Sequence, residues 1–248
     1  MNLSLVELPR RAWRSAANLI FPPGCVSCGI DLQADASPWL CPDCLDPLIS
    51  NSPSCPRCGE KTAAVLPETS RCPHCEHRRL QFQRTVRLGD YDGPLRRLVL
   101  RAKGAHEQPL AMTLGDLLWQ TRAEELRGLK VDLVVPIPMH WSRRMWRGAN
   151  HTELLAARLA RGLGIPWAAA LRRRRRTKIQ TDLSLRERYA NLRGAFGVRR
   201  RRIAGKRVLL VDDVLTTGAT CNEAARMLLN AEAAWAAVAV VARADEQV

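Results

Sequence analysis

Beyond Leu80 the chain alternates between two patterns of hydrophobic and polar positions. Largely apolar runs are typical of strands buried on both faces, and they occur at residues 131–137, 207–211 and 235–241. Between them, apolar residues recur every three or four positions, which predicts amphipathic helices at residues 109–125, 151–161 and 219–230. A turn at residues 91–94 leads into a further helix with Leu95, Leu98 and Val99 on one face. Strands that alternate with helices predict an α/β fold built on a parallel sheet.

Polar residues gather where the second of these apolar runs ends. Asp212 and Asp213 directly follow the run, and a Thr/Gly loop then leads into a predicted helix. In open parallel sheets, ligands bind beyond the carboxyl ends of the strands. The loop puts amides and hydroxyls at a helix amino terminus, which suits a phosphate; its residues are Thr216, Thr217, Gly218, Ala219 and Thr220. Either feature alone fits a strand end or a helix cap, but their combination favours a site for a phosphorylated sugar.

Before Leu80, the sequence is rich in cysteines. Eight of the nine cysteines form four CxxC pairs, which are Cys25/Cys28, Cys41/Cys44, Cys55/Cys58 and Cys72/Cys75. Each pair places two thiolates on one tight turn, and two such turns complete the tetrahedral ligand set of a structural zinc site. The four pairs therefore predict two structural zinc ions.

The spacing of the pairs leaves their grouping open. Sequential grouping assigns the first two pairs to one metal and the last two to the other, whereas a RING-like grouping interleaves them. The break at residues 51–53 favours the sequential grouping. His74 and His77 lie near the last pair, but a full set of four thiolates leaves them no vacancy. It also leaves no open position for water or substrate, so we expect structural rather than catalytic metals.

Charge is concentrated in one segment of the chain. The formal net charge is +15, and the segment that starts at Arg172 and ends at Arg207 contains fifteen Lys or Arg against two acids. We call residues 172–207 the basic segment. It is suited to polyanions such as pyrophosphate or a nucleic-acid backbone.

The distribution of apolar residues also bears on the cellular compartment. Charged residues interrupt the apolar runs of residues 1–20, which argues against a signal peptide. The longest uncharged apolar stretch, residues 233–242, is about half of the roughly 20 residues that a membrane-spanning helix needs. We therefore expect no membrane span, a cytoplasmic location and reduced thiols, which favour metal binding over disulfides.

The sequence resembles a known family. The strand, the two acids, the TTGAT loop and the helix resemble the phosphoribosyl pyrophosphate (PRPP) motif of type I phosphoribosyltransferases. Together with VVPIPMHWSRRMWRGANHTELLA, RRTKIQTDLSLRERYANLRGAF and the CxxC pairs, they resemble the ComF family of competence-related proteins. This resemblance implies a parallel-sheet type I phosphoribosyltransferase domain preceded by a small double zinc ribbon. We divide the chain into an amphipathic segment (1–20), the double zinc ribbon (21–80) and the phosphoribosyltransferase-like domain (81–248).

The resemblance also implies roles for particular residues. Asp212 and Asp213 would hold the ribose hydroxyls as acids of the catalytic site, with Mg²⁺ nearby, and residues 216–220 would hold the 5′-phosphate. Of a family pattern of Lys, aromatic, Arg, Gly and Asp, the chain keeps Lys103 and Gly104, which are assigned to PRPP. At residues 148–151 it lacks the usual aromatic and Gln; both departures concern pyrophosphate handling and acceptor choice. A flexible loop that closes the active site would contain four further residues, which are Thr177, Gln180, Arg188 and Asn191.

Two classes of function follow from the resemblance. The first is a PRPP-binding protein that supports DNA uptake and recombination, with single-stranded DNA on the basic segment and a partner such as a DNA-uptake helicase on the zinc ribbons. The second is an active phosphoribosyltransferase with an unknown acceptor. A regulator that senses PRPP without turnover is a third reading, which the sequence does not separate from the second.

Overall fold

The computed structural model describes residues 23–33, 38–67, 70–76, 78–104, 106–138, 150–174, 185–199 and 203–245. In chain order, its elements are α1 (Pro42–Leu45), a 3-10 helix (Asp46–Leu48), α2 (Pro73–Glu76), β1 (Arg84–Asp90), α3 (Gly93–Ala102), α4 (Gln108–Gly128), β2 (Leu133–Pro136), α5 (His151–Leu163), β3 (Leu171–Arg173), α6 (Leu185–Leu192), β4 (Phe196–Val198), β5 (Arg207–Leu215), α7 (Ala219–Leu229) and β6 (Trp235–Arg243).

A parallel sheet of four strands forms the centre of the protein, in the spatial order β1-β6-β5-β2. The two central strands are rich in Val, Leu and Ala because both of their faces are covered. Leu114 and Leu159, from α4 and α5, belong to the hydrophobic cluster on one face. Ala224 of α7 and Phe196 of β4, which pairs with β3 in a separate antiparallel sheet, belong to the cluster on the other face. The predicted α/β class with a parallel sheet is therefore confirmed.

Two details of the central sheet differ from the sequence-based expectation. β5 does not end at Val211 but continues to Leu215, because Asp212 and Val214 remain in register with Val240 and Ala242 of β6. The edge strand β1 was not predicted at all, since Arg87 interrupts its apolar pattern. Arg87 is nevertheless buried, and it pairs with the carboxylate at the end of the same strand.

The two halves of the cysteine-rich region share one local structure. In the first ribbon, residues 23–50, the Cys25 N–H donates to the Ile30 carbonyl at 2.7 Å. In the second ribbon, residues 53–80, the Cys55 N–H donates to the Glu60 carbonyl at the same distance. In each ribbon the second Cys pair begins a short helix, α1 or α2. Gly59 has a φ of +72°, a backbone conformation that residues with an L side chain rarely adopt.

Both ribbons pack on the edge of the sheet. The Ser50 N–H donates to the Leu88 carbonyl of β1 at 3.1 Å, and the Thr85 N–H of β1 donates to the Pro56 carbonyl at 3.0 Å. These bonds satisfy backbone groups that an edge strand otherwise leaves unpaired. The predicted boundary at residue 80 thus separates two parts that share a packed interface. Across the described residues, no helix has both the length and the apolar character needed to cross a bilayer.

Candidate functional site

The eight paired cysteines form two clusters. In each one, the four sulfur atoms lie within 4.8 Å of one another; the first holds Cys25, Cys28, Cys41 and Cys44, and the second holds Cys55, Cys58, Cys72 and Cys75. The sequential grouping is therefore correct and the interleaved grouping is wrong.

The sulfur–sulfur distances test whether zinc fits these clusters. Cys28 Sγ lies 3.7 Å from Cys41 Sγ, and Cys58 Sγ lies 3.5 Å from Cys72 Sγ. Bonds of about 2.3 Å from Zn²⁺ to four thiolates give tetrahedral edges of about 3.8 Å. Both clusters therefore fit a structural zinc ion, and each offers a complete set of four thiolates.

The second candidate site lies at the carboxyl end of β5. Val211 of β5 is paired with Pro136, at the end of β2. Asp212 and Asp213 follow while the strand still pairs with β6. The Asp213 N–H donates to Asp212 Oδ1 at 2.9 Å, and the Val214 N–H donates to Asp213 Oδ1 at 2.7 Å. These bonds hold both carboxylates near the backbone at the strand end.

We call residues 216–220 the phosphate loop. Gly218, at φ +75°, is the N-cap of α7, and its carbonyl accepts from the Asn222 N–H at 2.8 Å. Thr217 Oγ1 accepts from the Ala219 N–H at 3.3 Å. The first N–H groups of a helix have no partner within the helix and carry its positive dipole end. This geometry suits an anion.

Asp213 is held by two basic side chains. Its Oδ2 lies 2.8 Å from Lys103 Nζ and 2.8 Å from His151 Nε2. Lys103 directly follows α3, and His151 is the first residue of α5. Thr152 ties the start of α5 to the end of β2, because its hydroxyl donates to the Ile137 carbonyl at 2.8 Å. Three elements that are distant in sequence thus meet at one carboxylate.

The surroundings of the two acids shift their pKa values in opposite directions. Burial raises the pKa of Asp213, but the hydrogen bond from His151 and the charge of Lys103 outweigh it and hold that pKa below its usual value. Burial and the neighbouring charge of Asp213 raise the pKa of Asp212 well above its usual value. Burial lowers the pKa of Lys103, but the charge of Asp213 outweighs it, so this pKa is raised. Asp213 is therefore the carboxylate that stays ionised, opposite an ammonium group.

The back of the phosphate loop is also held by side chains. The Thr217 carbonyl accepts from the Tyr189 hydroxyl at 3.1 Å and from Arg78 Nη1 at 3.3 Å. Tyr189 lies on α6, whereas Arg78 belongs to the second ribbon. Neither residue was predicted, and neither was His151. One signal pointed to His151: it follows the strand next to β5, and neighbouring parallel strands end at the same edge of the sheet.

The remaining predicted site residues fall in different places. Gly104 follows Lys103 and is exposed. Asn191 lies on α6 and is partly buried, and Arg188 lies on the same helix. Thr177 and Gln180 lie outside the described residues. The ninth cysteine, Cys221, is buried on α7, and burial raises the pKa of its thiol well above the usual value, so it has no sign of activation.

Two family models match parts of the chain. Residues 16–77 match the double zinc ribbon domain, and residues 149–248 match the phosphoribosyl transferase domain.

Close relatives span most of the chain. The DNA utilization protein YhgH of Salmonella typhimurium is 36% identical over 223 residues, which cover 87% of this chain and 95% of the relative. YhgH of Escherichia coli K12 is 35% identical, with 79% and 86% covered. Competence protein F of Haemophilus influenzae is 31% identical, with 82% and 90% covered. A solved structure of the allosteric regulatory enzyme of purine biosynthesis is 26% identical over 50% of this chain and 26% of its own, with a TM-score of 0.32.

Proposed function

Because the chain belongs to the ComF family, which joins a double zinc ribbon to a phosphoribosyltransferase domain, we propose that it binds PRPP at the carboxyl end of β5 and supports DNA uptake or recombination. The observation that carries the proposal is the meeting of an ionised carboxylate, an ammonium group and a helix amino terminus around one strand end. These groups match the three parts of PRPP, which are the ribose hydroxyls, the pyrophosphate and the 5′-phosphate.

Each group has a role in this proposal. Asp212 and Asp213 accept hydrogen bonds from the ribose hydroxyls, and the N–H groups of the phosphate loop hold the 5′-phosphate. Lys103 exchanges part of its pairing with Asp213 for the charge of the pyrophosphate. The two carboxylates offer the oxygen ligands that Mg²⁺ prefers, and this ion would arrive with the substrate.

Transfer of the phosphoribosyl group is the second candidate function. In that reaction the bond from ribose C1 to the pyrophosphate oxygen breaks, pyrophosphate leaves with the electron pair, and the acceptor forms the new bond to C1. The favouring observation is Lys103, whose ammonium lies beside the carboxylates and is able to stabilise the charge of the leaving group. Release of pyrophosphate in the presence of an acceptor would distinguish turnover from binding alone.

The role in DNA handling rests on the relatives and on charge. Their names refer to DNA utilization and competence. The basic segment contains α6, whose Tyr189 reaches the phosphate loop, so single-stranded DNA bound there would lie close to PRPP. Such binding would be mainly electrostatic and would weaken steeply with salt; affinity that does not depend on salt would contradict it. We further propose that a helicase binds to the ribbons. We also propose that the protein works in the cytoplasm, where reducing conditions keep the zinc thiolates available.

The decisive experiment is calorimetry with PRPP and Mg²⁺. We expect saturable binding to the wild type and loss of at least tenfold in affinity for Asp213→Asn, because the amide carries no charge and presents a donor NH2 in place of one acceptor oxygen. Asp245→Asn is the matched control, since it removes the same charge from an exposed side chain. A wild type that gives no saturable heat would contradict the proposal.

A further inference from the structure

One buried arginine joins the second ribbon to the start of the phosphate loop. Arg243, the last residue of β6, is 2% exposed. Its Nε donates to the Cys58 carbonyl at 3.1 Å, and its Nη2 pairs with Glu60. Its Nη1 donates to the Leu215 carbonyl at 3.1 Å, directly before the phosphate loop. The same guanidinium therefore contacts a turn that carries a zinc ligand and the peptide that enters the loop.

The second ribbon also reaches the middle of the loop. Arg78 Nη1 donates to the Thr217 carbonyl at 3.3 Å. Just beyond the ribbon, the Gln81 N–H donates to Asn222 Oδ1 on α7 at 2.6 Å. The four buried cysteines of this ribbon belong to the same hydrophobic cluster as Leu215 and Ala219 at the two ends of the loop. The ribbon and the loop are thus packed as one unit.

These contacts fix the orientation of two peptide groups at the phosphate loop. A trans peptide is planar, and its C=O and N–H point in opposite directions. A fixed Leu215 carbonyl therefore fixes the N–H of Thr216, and a fixed Thr217 carbonyl fixes the N–H of Gly218. The Leu215 carbonyl points towards Arg243 and the Thr217 carbonyl points towards Arg78, so both N–H groups point away from these two arginines. Preorganised N–H groups bind an anion more tightly because no ordering is needed on binding.

We propose that the second ribbon is a positioning element of the phosphate loop, and that Arg78 and Arg243 are its positioning residues. The ribbon contributes to anion binding without touching the anion. Its Arg78 holds the Thr217 carbonyl, and its Cys58 and Glu60 hold Arg243, which bonds to the Leu215 carbonyl. The N–H groups of the same two peptides donate to the phosphate. The first ribbon makes no such contact among the described residues. The identity of the anion as PRPP rests on the function proposed above.

The test uses the full-length protein and a matched pair of arginines. Arg78→Ala removes a contact with the loop, whereas Arg79→Ala removes the same charge from the next, exposed position of the ribbon. Hydrogen exchange is measured by mass spectrometry in the ligand-free protein, on peptides that cover residues 211–225. We expect faster exchange in Arg78→Ala at the loop, with exchange of α5 unchanged, and PRPP affinity roughly tenfold weaker. We expect Arg79→Ala to match the wild type in both measurements.

A second variant examines the other positioning residue. Arg243→Lys keeps a positive charge opposite Glu60, but one ammonium cannot replace a guanidinium that bonds in three directions. We expect its zinc content to remain two ions per chain while exchange of residues 211–225 becomes faster. If this buried variant does not fold, Arg78→Ala carries the test alone.

The outcomes separate this inference from the proposed function. Unchanged loop exchange in Arg78→Ala overturns the inference, whatever the protein binds. A wild type that binds no PRPP contradicts the proposed function, and the exchange comparison in the ligand-free protein then still decides the inference. Faster exchange in Arg79→Ala to the same degree also overturns it, because the effect would follow the lost charge rather than the contact.

Discussion

The two zinc ribbons have the same local structure but different surroundings. All four cysteines of the second ribbon are buried, with none more than 7% exposed. In the first ribbon only Cys25 is buried, and Cys28 is exposed. The same pair of turns therefore serves as a peripheral unit in one half of the region and as part of the core in the other. The metal site alone does not reveal this difference, since both clusters have four thiolates at similar distances.

One arginine at each ribbon shows the same contrast. Arg101 donates to the Ser27 carbonyl of the first ribbon at 3.3 Å and pairs with Glu107 at 3.4 Å, with side chains 39% and 33% exposed. Arg243 contacts the second ribbon and pairs with Glu60, with side chains 2% and 8% exposed. Water competes with the first attachment and is excluded from the second, so equivalent substitutions have unequal costs.

The largest expected effect comes from breaking one metal site at a time. Cys58→Ser removes a ligand from the buried cluster, and the loss disturbs a shared hydrophobic core as well as the zinc site. We expect it to lower the melting temperature by on the order of 10 °C, and Cys28→Ser to lower it by less than half as much. Thermal unfolding is measured alongside zinc content, which is expected to fall to one ion per chain in each variant. Equal shifts in melting temperature would remove the distinction between the ribbons.

The attaching ion pairs give the next comparison. Glu60→Gln leaves Arg243 buried without its counter-charge, which costs about 3–5 kcal/mol in the free energy of unfolding. Glu107→Gln removes an exposed partner of Arg101 and is expected to cost less than about 1 kcal/mol. Urea denaturation at pH 7 measures both. A Glu60→Gln variant as stable as Glu107→Gln would show that Arg243 is solvated, and the ribbons would then be equivalent.

Local chemistry explains which features the sequence could predict. Each CxxC pair places two metal ligands three positions apart, so the zinc sites follow from neighbouring residues. The run of strand, acids, loop and helix at residues 207–229 is equally local; its helix was predicted at nearly its observed position, and its strand was predicted from the observed start but four residues short of the observed end. Features whose cause lies within one turn or one strand are readable from the chain itself.

The missed features depend on the order of strands in space. His151 lies 62 positions from Asp213, and Arg243 lies 183 positions from Glu60, so their pairing follows from the sheet and from the packing of the ribbon. β1 was missed because Arg87 interrupts its apolar pattern. The charge of Arg87 is paired with that of Asp90, and the ribbons cover β1. This edge strand is therefore buried although its sequence is partly polar. The pattern of hydrophobic and polar positions along the chain does not reveal such charge pairing or such covering by another part of the protein.

The smallest expected effect is a dependence of stability on pH. It comes from a further ion pair of the second ribbon. Lys61 Nζ lies 3.2 Å from Asp90 Oδ2, and Arg87 pairs with the other oxygen of this carboxylate. Burial raises the pKa of Asp90, but the hydrogen bond from Arg87, with help from Lys61, outweighs it and holds the pKa below its usual value. A group whose pKa is lowered by folding stabilises the protein above its unfolded pKa of about 3.9, and this stabilisation is lost as the pH falls through the folded pKa.

We therefore expect Asp90→Asn to be less stable than the wild type by about 2 kcal/mol at pH 7, and the gap to narrow as the pH falls below about 4. Taking the difference between two proteins that contain the same zinc sites cancels the release of zinc by acid. Glu107→Gln, at the attachment of the first ribbon, is the matched comparison, and its difference from the wild type should stay small at every pH. Denaturation in urea from pH 7 to pH 3 measures these gaps. A gap for Asp90→Asn that is constant over this range would mean that the ionised carboxylate does not stabilise the fold through Arg87 and Lys61, and this contact would then not contribute to the difference between the two ribbons.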